Sequence, residues 1–229
     1  MKTTLLFFVS ALSGLAAEPV RVLVVTGGHD HDASFYSVFD DARIAATVRP
    51  HPAAFRQDFT KPFDTLVLYD MMQDLGDDKR RENLRAFVEA GKGIVVLHHA
   101  IGDNAGWPWW TEQVVGGRYL FRPEGTTPAS TFKHDETVQV DVVKKHPVTA
   151  GLESFPIRDE TYRGLWISPR AEVLLRTGNA TSDGPVAWLG VHPKARVVYI
   201  QLGHDRFAHR NPSYQQLVRN AILWAGGVR

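Results

Sequence analysis

Histidine closes three apolar runs of this chain. Val22-Leu23-Val24-Val25 leads to Thr26-Gly27-Gly28-His29-Asp30-His31-Asp32, Ile94-Val95-Val96-Leu97 to His98-His99, and Val197-Val198-Tyr199-Ile200 to Gln201-Leu202-Gly203-His204-Asp205. Imidazole suits both proton transfer near neutral pH and the binding of borderline metals. If the runs are parallel strands, their carboxyl ends share the edge where α/β sheets bind ligands. An enzyme is therefore the leading reading.

Each cluster has a chemical and a bland interpretation. Gly27-Gly28 lets the backbone turn sharply and approach a ligand, but no dinucleotide fingerprint or P-loop lysine follows, so no nucleotide cofactor is expected. Asp32 is expected to cap a helix starting at Ala33, which leaves His29 as the functional member. Neighbours at a strand end point to opposite faces, so at most one of His98 and His99 is expected to enter the cleft while the other packs or orients it. Which one stays open. Asp205 is placed to fix the tautomer of a neighbouring imidazole. His134 and Glu160 are further candidates whose acidic surroundings also suit a solvated loop, and His51, His146, His192 and His209 are taken as structural or surface residues.

A divalent metal such as zinc is a candidate cofactor, with His29, His99 and His204 as its ligands and Asp70 at the same edge. No local ligand motif supports it. Trp107, Trp109 and Trp110, with Tyr119 and Tyr162, offer faces on which a sugar could pack, or simply core material.

The elements that must position these residues follow from periodicity. Strands are expected at 20–26, 44–49, 65–69 and 93–97 and helices at 33–42 and 77–90, a doubly wound α/β pattern. Residues 104–169 look like an aromatic-rich insertion over the strand edge, with one alternating strand at 137–143. Further strands follow at 172–176, 186–189 and 196–201, the last two as a hairpin. Asn211-Pro212 starts a helix with Asn as cap and Pro in the first turn.

Residues 1–17 have the charged start, short apolar middle and small-residue exit of a secretory signal, so an exported, periplasmic or extracellular protein is expected, with one domain over 18–229. Loss of Lys2 with that segment takes the formal charge from +1 to zero. A neutral protein has no electrostatic attraction for nucleic acid or an anionic membrane, and neither is expected as a partner. The chain has no cysteine, which excludes thiol nucleophiles and disulfides.

Taken in order, Val24-Val25-Thr26-Gly27-Gly28-His29, Tyr69-Asp70-Met71, Leu97-His98-His99-Ala100, Val115-Gly116-Gly117-Arg118-Tyr119, His146-Pro147-Val148-Thr149-Ala150-Gly151-Leu152, Asp159-Glu160-Thr161-Tyr162 and Gln201-Leu202-Gly203-His204-Asp205 resemble the trehalose-utilisation (ThuA-like) family. The resemblance runs from about Val20 to the C-terminus. It implies the flavodoxin-like, mostly parallel sheet of class I glutamine amidotransferases with helices on both faces, although without their cysteine nucleophile glutaminase activity does not carry over. It also implies carbohydrate catabolism, in which such proteins accompany dehydrogenases that make 3-keto sugars.

The resulting expectation is a hydrolase, lyase or isomerase acting on an oxidised glycoside or disaccharide. His29, His98 or His99, His204 and Glu160 are its catalytic candidates, and Asp70, Trp107, Trp110, Tyr119 and Tyr162 its substrate contacts. The competing expectation is a carbohydrate-binding module that performs no reaction. Whether copies of the chain associate stays open.

Overall fold

The computed structural model describes residues 18–71 and 74–228. The expected export signal at 1–17 lies outside the described residues.

Strand β1 (Val20–Gly27) is followed by a 3-10 turn (Ala33–Phe39) and by β2 (Ile44–Pro50), β3 (Thr65–Asp70), α1 (Asp78–Glu89) and β4 (Gly93–Leu97). The chain continues through α2 (Pro108–Trp110), which runs into a π-turn at Thr111–Val115, then β5 (Gly117–Arg118), β6 (Thr131–Val142), β7 (Phe155–Arg163), β8 (Trp166–Ile167) and β9 (Glu172–Thr177). It ends with β10 (Pro185–Leu189), β11 (Val197–Ile200), α3 (Arg206–His209) and α4 (Pro212–Ala225).

Nine of these strands form one sheet in the order β2-β1-β3-β4-β11-β10-β9-β6-β7. The first five are parallel neighbours, and from β11 onward each pairing is antiparallel. The inner parallel strands β1, β3, β4 and β11 are rich in Val, Leu and Ile because both of their faces are covered, whereas the edge strand β2 is mostly exposed. Alternate residues divide between two cores. Val22, Val24, Val67, Val95, Leu97 and Val198 pack with Leu217, Val218 and Ile222 of α4 and with Phe35 and Val38. Leu23, Val25, Leu66, Leu68, Ile94 and Val96 pack with Leu84, Phe87 and Val88 of α1 and with Phe55 and Phe59. Each such side chain contributes about 1.5–3 kcal/mol by leaving water.

The expected strands and the α1 and α4 helices form where their periodicity puts them, and Asp32 caps its turn by accepting from Ser34 N at 2.9 Å. Two expectations change. The expected helix at 33–42 is a shorter 3-10 turn. The stretch at 104–169 is only partly an insertion, because β6 and β7 hydrogen-bond into the main sheet through β9. Two antiparallel steps separate β9 from β7, so β7 runs in the direction of the parallel core and β6 against it. The carboxyl half of β7 and the amino end of β6 therefore face the edge where β1, β4 and β11 end.

Gly93 opens β4 directly beneath the last turn of α4, where an added Cβ would lie 2.5 Å from the Ala225 carbonyl carbon. Gly93→Ala should destabilise the protein by about 1–3 kcal/mol in urea unfolding, the usual range for overpacking. Gly106→Ala, whose added Cβ would meet open space, should be close to neutral. Equal effects of the two substitutions would contradict this packing.

Candidate active site

The loop after β1 uses left-handed and extended positive-φ glycines, Gly27 (φ 150) and Gly28 (φ 71), to lift His29 over the sheet edge. Its ring centroid lies 5.1 Å from that of His99 and 6.3 Å from that of His204. His31 turns away, its Nε2 3.0 Å from the Tyr36 hydroxyl.

After β4 the chain breaks out of strand geometry at once. His98 has φ 52, a left-handed conformation uncommon for a residue with a side chain, and a 3-10 turn begins there. The conformation is held from several sides. His98 Nδ1 donates to the Gln201 carbonyl at 2.6 Å, its own carbonyl accepts from the Tyr199 hydroxyl at 3.2 Å, and its ring stacks on Tyr162 at 5.2 Å. Both histidines consequently serve the same site. His99 lines the cavity, and His98 lies fully buried beneath it.

The turn after β11 is clamped by a buried carboxylate. Asp159 Oδ2 accepts from Gly203 N at 2.8 Å, and its Oδ1 accepts from His204 N at 2.9 Å and Glu160 N at 2.8 Å. Burial raises the Asp159 carboxyl above its ordinary range, against the pull of His98 and these three amides. Gly203 sits at φ 120 with no room for a side chain, since a Cβ would lie 2.4 Å from the Tyr214 hydroxyl. Asp205, expected to fix an imidazole tautomer, instead caps α3 through Phe207 N at 2.8 Å and Ala208 N at 3.3 Å. Helix capping is the stronger local demand on an aspartate one residue before a helix.

Glu160 on β7 completes the centre. Its Oε2 lies 2.9 Å from His98 Nε2 and 3.0 Å from His204 Nδ1, and the two ring nitrogens are 3.2 Å apart. Burial would raise the Glu160 carboxyl, but its bonds to His204 and His98 outweigh burial and hold it well below the carboxylate range. The same bond from Glu160 raises His204 against the effect of burial. The Tyr162 hydroxyl is 3.2 Å from His98 Nε2. His134, half-exposed on the amino end of β6, brings its Nδ1 within 3.7 Å of Glu160 Oε1.

His99 is set differently. Its Nδ1 donates to the Asp70 carbonyl at 2.8 Å, so the lone pair sits on Nε2, which has no hydrogen-bond partner among the described residues. Burial, helped by the neighbouring His98, pushes its pKa down to about 2 and keeps the ring neutral.

His98, Glu160 and His204 present three ligand atoms together and could hold a metal ion. This set replaces the expected His29, His99 and His204. His29 stands above the trio, and His99 lies outside the group of converging donor atoms. Above the trio is a cavity of about 260 Å³ lined by His29, His99, Glu160, His204, Tyr119 and Tyr162 from the expected set, and by Met71, Ile101, Gly102, Phe121, Phe132 and His134.

Three expected substrate contacts lie elsewhere. Trp110 is buried in the core. Trp107 packs on Trp109, and Arg81 and Arg85 of α1 lie over its ring. Asp70 is buried below the cavity, where its Oδ2 meets His51 Nδ1 at 2.5 Å. His51 and His209, read as structural or surface residues, are both structural. His209 is fully buried with Nε2 2.9 Å from the Gly203 carbonyl, and burial lowers its pKa to about 4. Asp159, Phe121 and Phe132 were not singled out by sequence. For Phe132, its place two residues before the candidate His134 on β6 would have been the available signal.

The sequence pattern of the family described as "ThuA: Trehalose utilisation" matches residues 21–225. Among solved structures, a protein described as ThuA-like from Parabacteroides merdae is similar with TM-score 0.78 and 18% identity, covering 92% of this chain and 91% of that one. A second, from Bacteroides uniformis, has TM-score 0.71 and 19% identity over 94% and 95%. A β-galactosidase from Bacillus circulans sp. alkalophilus has TM-score 0.60 and 12% identity over 90% of this chain and 31% of that enzyme. At such identities the likeness shows the fold alone. No curated protein matches in sequence.

The Glu160–His204 pair has a definite pH signature in metal-free protein. His204, raised above its ordinary 6.5, stabilises the fold fully below that pH and loses the contribution as pH rises through its folded value. Glu160, lowered from 4.5, stabilises it above that pH and loses the contribution as acid takes the pH down through its folded value. NMR titration should find the His204 ring protonating above 6.5 and the midpoint falling in Glu160→Gln. A midpoint that does not move would disprove the pairing.

Proposed function

The chain belongs to the trehalose-utilisation (ThuA) family, and from that premise we propose that it is an exported carbohydrate-catabolic enzyme acting on an oxidised, 3-keto glycoside above the His98–Glu160–His204 trio. The observation that carries this reading is the trio itself: two imidazoles and a carboxylate whose ligand atoms stand 2.9, 3.0 and 3.2 Å apart beneath a cavity. Such a donor set, with a further position open, is that of catalytic zinc sites. Metal–nitrogen bonds of about 2.0–2.1 Å imply tetrahedral edges of about 3.3 Å, so the trio fits a divalent ion after an opening of a few tenths of an ångström. The Gln201 carbonyl supports the fit, because it takes the Nδ1 proton of His98 and turns the other ring nitrogen toward the trio, the outer-shell arrangement typical of metal-binding imidazoles.

A divalent ion held there would supply positive charge to the C3 carbonyl oxygen of the sugar. The remaining work falls to side chains. A keto group at C3 acidifies the C2 hydrogen. His29 or His134, on the cavity wall, takes that proton onto a ring nitrogen. The C–H electron pair passes to the carbonyl as an enolate. Its return forms the C1–C2 double bond as the C1–O bond breaks, and the departing oxygen takes a proton from the second imidazole. Addition of water across that double bond completes hydrolysis. His99, kept neutral, accepts a hydrogen bond from a sugar hydroxyl at Nε2 and does not act as an acid.

Calorimetric titration of chelator-stripped protein with zinc should give one site per chain. His98→Ala, Glu160→Gln and His204→Ala should each weaken it by about 100-fold or more, beyond the 10–100-fold typical of outer-shell partners, while His29→Ala leaves it unchanged. Lack of saturable binding removes the metal from the reading. With metal-loaded protein, 3-keto glucosides should release their aglycone and the parent glucosides should not. Equal turnover of both removes the requirement for the ketone, and affinity for keto-glycosides without turnover makes the protein a binding module.

A further inference from the structure

The cavity is lined by two kinds of group. His29, His99, His134, Glu160 and His204 are polar, and Tyr119, Phe121 and Phe132 give it an aromatic lip. That lip offers a ligand no free side-chain hydrogen-bond donor. The Tyr119 hydroxyl, the sole polar side-chain group of the three, donates to the Ser130 carbonyl at 3.0 Å, so the residue shows the cavity its ring. Tyr119 lies 5.0 Å from Phe121 and meets Tyr162 edge-on at 5.7 Å. The Tyr162 hydroxyl is likewise occupied, by His98.

Phe121 and Phe132 are 47% and 57% exposed. Scattered exposed aromatics need no explanation, but two on the mouth of one cavity form an apolar surface that a ligand can cover. The Phe132 and His134 rings lie 5.0 Å apart on β6. One strand thus contributes an apolar contact and a proton-transfer group side by side.

A second sugar ring would touch this lip only through its C–H groups and gain no hydrogen-bond donor from it. A flat aromatic group would stack on it. Size points the same way. At about 260 Å³ the cavity falls below the range of about 300–1,000 Å³ usual for enclosing a drug-sized ligand, so it takes one ring over the polar floor and leaves the attached group at the mouth. Resting on the proposed glycoside chemistry at this site, we propose that Tyr119, Phe121 and Phe132 form a leaving-group subsite for an apolar aromatic aglycone. The preferred substrates are then aryl glycosides rather than free disaccharides.

Binding, read by calorimetry, separates this proposal from the reaction. The probes are 4-nitrophenyl and methyl glucosides as both anomers, and trehalose, titrated into zinc-loaded protein. The 4-nitrophenyl glucoside of one anomer should bind roughly tenfold more tightly than its methyl counterpart and than trehalose. Phe121→Ala with Phe132→Ala should erase the difference while leaving methyl glucoside affinity and Tm unchanged, and Phe132→Trp should retain it. Equal affinity of aryl and methyl glucosides, trehalose binding as tightly as the aryl compound, no binding of any probe, or an aryl preference surviving the double substitution overturns the subsite. An aryl preference with no turnover of any 3-keto glucoside keeps the subsite and overturns the reaction.

Discussion

The site depends on one buried carboxylate that touches no cavity. Asp159 accepts backbone hydrogens from its own neighbour Glu160 and from Gly203 and His204, and so ties β7 to the turn after β11. These segments belong to opposite halves of the sheet, with β10, β9 and β6 between them. Sheet pairing alone would leave Glu160 and His204 free to drift relative to each other. The clamp fixes both main chains within one residue of their working side chains. The carboxyl accepts all three bonds at once, and burial makes the amide donors dependent on it.

A second constraint acts on the other strand end. His98 occupies a backbone conformation that a side chain disfavours, and the Gln201 carbonyl, the Tyr199 hydroxyl and the Tyr162 ring keep it there. Two of those partners come from β11 and the turn after it, and one from β7. The same two segments that Asp159 joins therefore also set the His98 ring. Local strain is commonly found where the surroundings over-determine a functional group, and here the surroundings are the strand that carries Glu160 and the strand that leads to His204.

Much of this was legible in the sequence. Unbroken apolar runs identified the buried strands, and the histidines closing them marked the common edge. Asp32 and Asn211 announced their caps by type and position. What was hidden is long-range or rotational. Glu160 and His134 reach the edge because β6 pairs with β9 and β7 with β6, and no local pattern states which strands will be neighbours. Asp205 looked like a partner for imidazole until the helix behind it claimed its oxygens. The tryptophans were conspicuous by type, yet an aromatic ring serves a core as well as a ligand, and α1 with its two arginines decided the matter for Trp107. The pair His98-His99 was treated by strand alternation, which lapses at the residue where the 3-10 turn begins.

The placement of β11 has a consequence for how the molecule comes into being. This strand, built from residues 197–200, lies between β4 and β10 in the middle of the sheet. Until it arrives, the parallel half ends at an open β4 and the antiparallel half has nothing to join. A nascent polypeptide still lacking this stretch leaves the inner edge of β4 unpaired and does not yet hold His204. Closure of the scaffold and assembly of the His98–Glu160–His204 cluster thus become a single late event in biosynthesis.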